Sequence, residues 1–501
     1  MWTGEVSGVG RRVWGVGRNI VRHVLSAVSI ILMLAAPAAP AQEAQTMAGR
    51  MDRAATFYQN RDGFMGMVAV ATDHQIIFQR GYGYANLESK TPFTMETRFR
   101  IGSLTKQFTA AAILLLQQDG KLKTSDPISR FYSSSPAAWS KITLRNLLTH
   151  TSGIPDVDFG LVSKNSLHTP EDLMRGIPEK PLGFQPGSKS EYTNVNFMLL
   201  GLVIERASGE PYCRFLEERI FTPLDLTETG CDTSDASSTL APDRAIGYRP
   251  SARGPVPVEN YTLTTITGAG NLDSSPRDLI RWTEALHGGK VLSPALLAEM
   301  TTPFLDYGYG LQIDDEGGVL DIGHNGTVDG FFSCLDYIPQ TKTTVVVLST
   351  LVGEFNHSTP GTFALDTELV HLAINPDAIL PSESKEANVP EKILRSYTGK
   401  YRSSDQIHPV FVVVTYADGH LYIKNEGAKG DSAQMFAETP TKFYLTIQEV
   451  ELTFDPSVPG SLVFIDFSGI GGTLFMRVPE TGTRAPEHSD DKGAAPASSH
   501  P

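Results

Sequence analysis

Alternating and apolar runs cover Gly66 to Ala71 and Gln75 to Tyr82, parted by Asp73-His74, and this pattern predicts a β-hairpin. Two further apolar runs, Phe331 to Ile338 and Thr343 to Ser349, flank the turn PQTK and predict a second hairpin. Between the hairpins the apolar period becomes helical. Leu104, Phe108, Ala112 and Leu115 recur along one face of a segment that Gly120 can stop. Helix starts are expected at TPEDL, Thr169 to Leu173, and at SPRDLIRW, Ser275 to Trp282. In each a hydroxyl N-cap precedes a proline and an acid in the first turn. Strands from both ends around a helical middle predict an α+β domain with one antiparallel sheet flanked by helices and a helical subdomain.

After Asn375 the pattern changes. PDAILPSESKEANVPEK has no apolar period and is rich in proline and charge, which reads as a linker over 376–392. Beyond it come short strand-like runs at Val410 to Tyr416, His420 to Asn425, Phe443 to Ile447, Glu451 to Phe454, Leu462 to Phe467 and Thr473 to Val478. Ala417-Asp418-Gly419 supplies a hairpin turn. Their regular spacing predicts a small all-β barrel or sandwich over 393–479, followed by a disordered tail over 480–501.

The first 41 residues read as an address. Arg11, Arg12, Arg18 and Arg22 make a positive region, Val24 to Ala36 an apolar run too short to span a bilayer, and Ala39 to Ala41 a small-residue cleavage site. A secreted or periplasmic protein is expected, with no stable membrane insertion once the signal is removed and with Sec and twin-arginine export both open. The remainder, 42–375, is then the first domain. At 501 residues, 41% hydrophobic and 20% charged, the chain is long enough for two cores. Losing the signal removes four arginines and Glu5, so the net charge of −14 becomes −17. A chain this acidic repels nucleic acid and anionic lipid surfaces. The three cysteines are odd in number and irregularly spaced. Cys213 and Cys231 can pair across a short loop in an oxidising compartment, but the expectation for all three, Cys334 included, is a buried small side chain. No Cys/His cluster has zinc-site spacing.

Candidate chemistry lies in three places. In FRIGSLTKQFTAAAILLLQQDGKL, Ser103 stands at a helix entrance with Lys106 one turn on. The entrance offers unpaired N–H groups to an oxyanion, and a lysine among apolar neighbours has a lowered pKa suited to proton transfer. In SEYTNVNFMLLGLVIE, Tyr192 and Asn194 precede the apolar run Phe197 to Ile204. A phenol beside an ammonium loses its proton more readily, and an amide can anchor a carbonyl. In GHNGTVDGFFS, His324, Gly326 and Thr327 come just before a strand, where glycine permits close backbone approach and histidine can orient a substrate. Each pattern alone is cheap: SESK at Ser382 to Lys385 and His287-Gly288-Gly289 repeat two of them.

Taken in order, FRIGSLTKQFTAAAILLLQQDGKL, LRNLLTHTSGIPD, YTNVNFMLLGLVIE, GAGNLDSSPRDLIRW, YGYGLQ and GHNGTVDGFFS resemble the serine β-lactamase-like superfamily over about residues 50–350. The likeness is to its branch of class C β-lactamases, D-peptidases and related esterases. The resemblance implies an acyl-enzyme hydrolase without metal or cofactor. Ser103 is its nucleophile, Lys106 and Tyr192 share the base role, and Tyr192 activates the deacylating water. The N–H groups of Ser103 and Thr327 form the oxyanion hole, and Asn194 positions the acyl side. His324 departs from the lysine of lactamases and many carboxypeptidases. Being mostly neutral near pH 7, it holds a carboxylate less strongly, which shifts the expected substrate from β-lactams towards small esters, amides or peptides of the D-amino-acid peptidase or carboxylesterase type, with a β-lactamase or D-Ala-D-Ala carboxypeptidase as the alternative. The competing class is a non-catalytic receptor for cell-wall peptide. The segment from LRSYTGKY to Val478 resembles the lipocalin-like barrel of some relatives, which implies a role in shaping the cleft or in oligomerisation. The loop Ala241 to Asn260 is expected to line the cleft.

Overall fold

The computed structural model describes residues 46–478 apart from 133–134, 157–180, 233–242, 252, 260–261, 306, 317, 353–359, 379, 384–385, 405–408, 427–431, 446–449 and 467–471. The predicted signal segment, the tail and the helix start at Thr169 to Leu173 lie outside the described residues.

A six-stranded antiparallel sheet organises the first domain. Its strands are β1 (Gly66–Thr72), β2 (Gln75–Tyr82), β3 (Gln312–Glu316), β4 (Val319–Val328), β5 (Phe331–Ile338) and β6 (Thr343–Ser349), in the spatial order β3-β4-β5-β6-β1-β2. Both predicted hairpins therefore form, and β1 pairs with β6 to join the two ends of the domain. The central strands β1 and β6 read as unbroken apolar runs because both faces are covered. Met67, Ala69, Val346 and Leu348 face the core that holds the catalytic-side helices. Val68, Val70, Val345 and Val347 face α1 (Met47–Asp62) and α5 (Pro360–Ile374), meeting Met51, Ala54, Leu365 and Leu369.

The middle of the chain supplies α2 (Thr105–Gln118), α3 (Asn194–Ser208) and α4 (Pro276–His287). Every residue of α2 from Thr105 to Leu116 is buried, the polar Thr105, Lys106, Gln107 and Thr109 included, so the helix is enclosed on all sides. Phe108 stacks on Trp282 of α4 at 4.2 Å, and the Trp282 indole donates to Gln107 Oε1 at 3.1 Å. The α4 start follows the sequence: Ser275 caps the Asp278 N–H, with Pro276 in the first turn.

The C-terminal strands close into an antiparallel barrel of eight, β7 (Gly399–Ser403), β8 (Phe411–Ala417), β9 (His420–Asn425), β10 (Ala433–Ala437), β11 (Lys442–Leu445), β12 (Val450–Thr453), β13 (Ser461–Asp466) and β14 (Gly472–Arg477). Strands β7 and β10 carry no clean alternating run in the sequence; β7 joins β14 and closes the barrel around Tyr401, Val412, Leu421, Met435, Leu452 and Leu462. The linker is fastened to the first domain. Glu383 accepts from Arg50 at 2.8 and 2.6 Å and from Arg53 at 2.7 Å, both on α1. The Arg61 guanidinium on the same helix lies 5.0 Å from the Phe436 ring of the barrel.

The expectation of three inert cysteines is corrected. Cys213 and Cys231 form a disulfide with Cα atoms 5.9 Å apart, and only Cys334 is a buried free thiol. The fold brings the pair together because the strand Gly230–Cys231 pairs with Leu272–Ser274, beside the short helix Tyr212–Leu216, which follows α3.

Candidate active site

Ser103 sits in a 3₁₀ turn, Gly102–Leu104, that leads directly into α2, and Lys106 follows in the first turn of that helix. Lys106 is fully buried, and its Nζ lies 2.9 Å from Ser103 Oγ, 2.9 Å from Asn194 Oδ1 and 2.8 Å from the Ala269 carbonyl. Burial lowers its pKa well below the ordinary lysine value, and Asp156 only partly offsets this. The amide and carbonyl oxygens can only accept, so the two hydrogens of a neutral amine go to them. Its lone pair is left for the Ser103 hydroxyl.

Asn194 reaches Lys106 because it is the first residue of α3, with Thr193 as the N-cap before it. Tyr192, one residue earlier, brings its hydroxyl to 2.7 Å from Ser103 Oγ. Its ring keeps a solvent-facing flank, 44% exposed, while Lys106 Nζ lies 4.9 Å from the ring centroid on the inner side. The sequence argument expected this phenol to lose its proton more readily beside lysine. Instead desolvation raises its pKa, outweighing the Ser103 hydrogen bond, because the lysine beside it is itself driven towards neutrality. Tyr192 thus holds its proton and can donate it to Ser103 Oγ.

The strand β4 crosses the mouth of α2 at close range. A Cβ on Gly326 would stand 2.2 Å from the Ile101 carbonyl oxygen and 2.8 Å from the Ser103 nitrogen. One on Gly102, whose φ is +51°, would stand 2.8 Å from the Thr327 nitrogen. Only glycine fits at either place. The Gly326–Thr327 backbone is held against the Gly102–Ser103 backbone as a result, which brings the N–H groups of Ser103 and Thr327 into range of a shared oxyanion.

His324 occupies the next site up β4 and is 3% exposed. Its Nδ1 donates to the Asn325 carbonyl, so Nε2 carries the lone pair and accepts from the Tyr307 hydroxyl at 2.6 Å. Burial, helped by the nearby Lys106, pushes its pKa down to about 3. Both ring nitrogens are spoken for and the ring is neutral.

Sequence reasoning missed three members of this constellation. His150 packs between Tyr192 and Tyr307 at 4.4 and 4.7 Å, Tyr307 holds His324, and the Ala269 carbonyl holds Lys106. All three lie in stretches that carried the resemblance, LRNLLTHTSGIPD, YGYGLQ and GAGNLDSSPRDLIRW, and nothing in their spacing marks a role. A cavity of about 690 Å³ opens beside Tyr192, His150, Tyr307 and His324. Within the loop Ala241 to Asn260, Tyr248–Arg249 pairs with Val256–Pro257. Among the described residues no cluster of His, Cys, Asp or Glu is arranged to hold a metal ion.

Comparison with known proteins agrees with this architecture. The family model described as Beta-lactamase matches residues 44–367. The putative penicillin-binding protein PbpX of Bacillus subtilis (strain 168) is 32% identical over 291 residues, covering 58% of this chain and 71% of that protein. The solved octameric penicillin-binding protein homologue from Pyrococcus abyssi superposes with a TM-score of 0.61 at 24% identity, covering 85% of this chain and 99% of that one. The D-amino acid amidase from Ochrobactrum anthropi SV3, solved with L-phenylalanine amide, superposes with a TM-score of 0.57 at 26% identity, covering 65% of this chain and 98% of that one. An ordered Ser-x-x-Lys, Tyr-x-Asn and His-x-Gly set on this fold, with a family match over most of the first domain, leads to one conclusion: the chain belongs to the β-lactamase family of the serine β-lactamase-like superfamily.

Proposed function

We propose that this protein is a secreted or periplasmic serine hydrolase that cleaves small uncharged esters, amides or peptides through an acyl-enzyme on Ser103. The observation that carries the reading is the Ser103 hydroxyl lying 2.9 Å from Lys106 Nζ and 2.7 Å from the Tyr192 hydroxyl. Ser103 passes its proton to neutral Lys106 as Oγ bonds to the substrate carbonyl carbon, and the carbonyl oxygen takes the charge against the Ser103 and Thr327 N–H groups. Tyr192, bonded to Ser103 Oγ, relays a proton to the departing alcohol or amine as the carbonyl reforms. The reverse relay then draws a proton from water in deacylation. Lys106 alone thus takes the initial base role, and Tyr192 the shuttle.

The same geometry weighs against carboxylate-bearing β-lactams and D-alanyl-D-alanine peptides. Where a lactamase-like lysine would meet a carboxylate, His324 is neutral with both nitrogens engaged. The structural likeness to a D-amino acid amidase supports the amide arm of the reading. The octameric homologue, which aligns with 85% of the chain, supports self-association. The test is burst kinetics with p-nitrophenyl acetate together with fluorophosphonate labelling, in the intact protein and in Ser103→Ala. The reading expects a burst and labelling that the substitution abolishes. Ligand binding with neither burst nor turnover would instead favour a receptor.

A further inference from the structure

Tyr192 stands just before α3, outside the ladder of helical hydrogen bonds, yet its hydroxyl lies 2.7 Å from Ser103 Oγ. His150 supplies a hold from outside the helix. It follows the short helix Leu144–Leu148 and is 1% exposed. Its carbonyl accepts from the Glu191 N–H at 2.9 Å, and its Nδ1 accepts from the Thr193 N–H at 3.3 Å. The two bonds fall on the residues either side of Tyr192. Between them the imidazole lies against the Tyr192 ring, with centroids 4.4 Å and planes 36° apart, and Tyr307 meets it edgewise at 4.7 Å.

A backbone N–H can only donate, so Nδ1 carries the lone pair and the ring proton is on Nε2. Asn196, whose Oδ1 accepts from Ser152 Oγ at 2.7 Å, turns its amide nitrogen to the same Nδ1 at 3.2 Å and braces the ring. Burial keeps the imidazole neutral, which preserves that lone pair. Two local costs come with the arrangement. The backbone sits at a φ of +54°, where residues other than glycine are uncommon, and Nε2–H is buried without a partner among the described residues. Asparagine would accept from Thr193, and phenylalanine would face Tyr192, without that orphaned donor. Histidine offers the acceptor and the flat face together, and this combination is what the two costs secure.

We propose that His150 is a positioning residue that aims the Tyr192 hydroxyl at Ser103 Oγ, gripping the chain on both sides of Tyr192 and backing its ring. This rests on the acyl-enzyme reading above, in which Tyr192 is the proton shuttle. The other two groups around Ser103 have holds of their own. Asn194 is the first residue of α3, behind the cap that Thr193 Oγ1 makes to the Val195 N–H at 3.2 Å. Lys106 is carried by α2 and bonded to the Ala269 carbonyl. Loss of the clamp therefore acts through Tyr192.

The test is a double-mutant cycle on p-nitrophenyl acetate hydrolysis. His150→Phe keeps a ring against Tyr192 and lacks the acceptor; His150→Asn keeps an acceptor, tolerates the positive φ and lacks the ring. Each is expected to lower kcat about tenfold with KM unchanged, as a misaimed shuttle does. In a Tyr192→Phe background, which has no hydroxyl to aim, each is expected to change kcat by less than about twofold. An equal fall in both backgrounds overturns the proposal in favour of a general structural role, and so does an intact kcat in both single variants. Two measurements stand apart from turnover. By ¹⁵N NMR of the intact protein, His150 Nδ1 is expected to be unprotonated, and a protonated Nδ1 overturns the proposal however the variants fold. In a crystal structure of His150→Asn the Tyr192 hydroxyl is expected beyond hydrogen-bond reach of Ser103 Oγ, with Lys106 and Asn194 in place; a hydroxyl still bonded to Oγ overturns it. Absence of turnover in the intact protein, with that displacement present, tells against the hydrolase reading alone.

Discussion

The Tyr307 hydroxyl donates to His324 Nε2 at 2.6 Å, and that bond decides what His324 can do. A histidine with Nδ1 already given to the Asn325 carbonyl has one lone pair left, and Tyr307 takes it. Tyr307→Phe removes the stabilisation of the neutral ring, so the His324 pKa is expected to rise from about 3 by roughly one unit. Titration of the His324 ring carbon protons by NMR checks this. An unmoved pKa would show that burial alone holds the ring neutral.

Lys106 sets the pH dependence of acylation. Its folded pKa is depressed, so the amine is neutral above that value and becomes an ammonium as pH falls through it. The base is then lost, and kcat/KM for a neutral ester is expected to fall on the acid side with a single ionisation lying well below the ordinary lysine range. Lys106→Ala should cost about 10² or more in rate and abolish that limb. Tyr192→Phe should cost about as much and leave the limb in place, since the raised phenol pKa keeps Tyr192 protonated throughout. A limb that disappears in Tyr192→Phe would put the base on the tyrosine.

Gly326→Ala tests the proximity of β4 to the head of α2. The added methyl meets the Ile101 carbonyl and the Ser103 nitrogen at distances backbone cannot tolerate, so β4 must withdraw. Activity is expected to fall by about 10² or more, as when an oxyanion donor is displaced, with a smaller effect on stability than on rate. Near-normal rates would show that the Thr327 N–H does not serve the oxyanion.

The Cys213–Cys231 bond supports the lysine from behind. Asn271 donates to Cys231 Sγ at 3.4 Å and accepts from the Gly268 N–H at 2.9 Å, which fixes the turn whose Ala269 carbonyl holds Lys106. Closing a chain separation of 18 residues contributes about 3 kcal/mol in the loop-entropy account. Cys231→Ser is expected to lower the unfolding free energy by about that amount in urea titrations and to reduce kcat more than it raises KM. Equal stability with and without reductant would contradict this.

Much of the fold was legible because period and burial agree: β1 and β6 carry the unbroken apolar runs Met67 to Ala71 and Val345 to Leu348 since both faces are covered, and α4 starts where Ser275 and Pro276 say it should. Barrel strands β7 and β10 escaped because their short runs mix polar and apolar residues and only their partners make them strands. The positions of Ser103, Lys106, Tyr192, Asn194 and His324 could be read from ordered motifs, which encode local geometry. What could not be read was long-range. No sequence pattern says that Tyr307 meets His324 or that Glu383 fastens the linker to Arg50 and Arg53, and the spacing of Cys213 and Cys231 allowed their pairing without deciding it. The protonation states follow from burial, which also lay beyond the sequence. Desolvation reversed the expectation for Tyr192, because it acts on the lysine and the phenol together.

The central claim is that Ser103 becomes the acyl carrier. The direct measurement is mass spectrometry of the protein quenched in acid within the burst of p-nitrophenyl acetate hydrolysis, then digested and sequenced. The account predicts one acetyl group on the peptide that contains Ser103, placed on Ser103 itself and lost on longer incubation. Steady turnover with that peptide unmodified, or with the acetyl group on another residue, would contradict it.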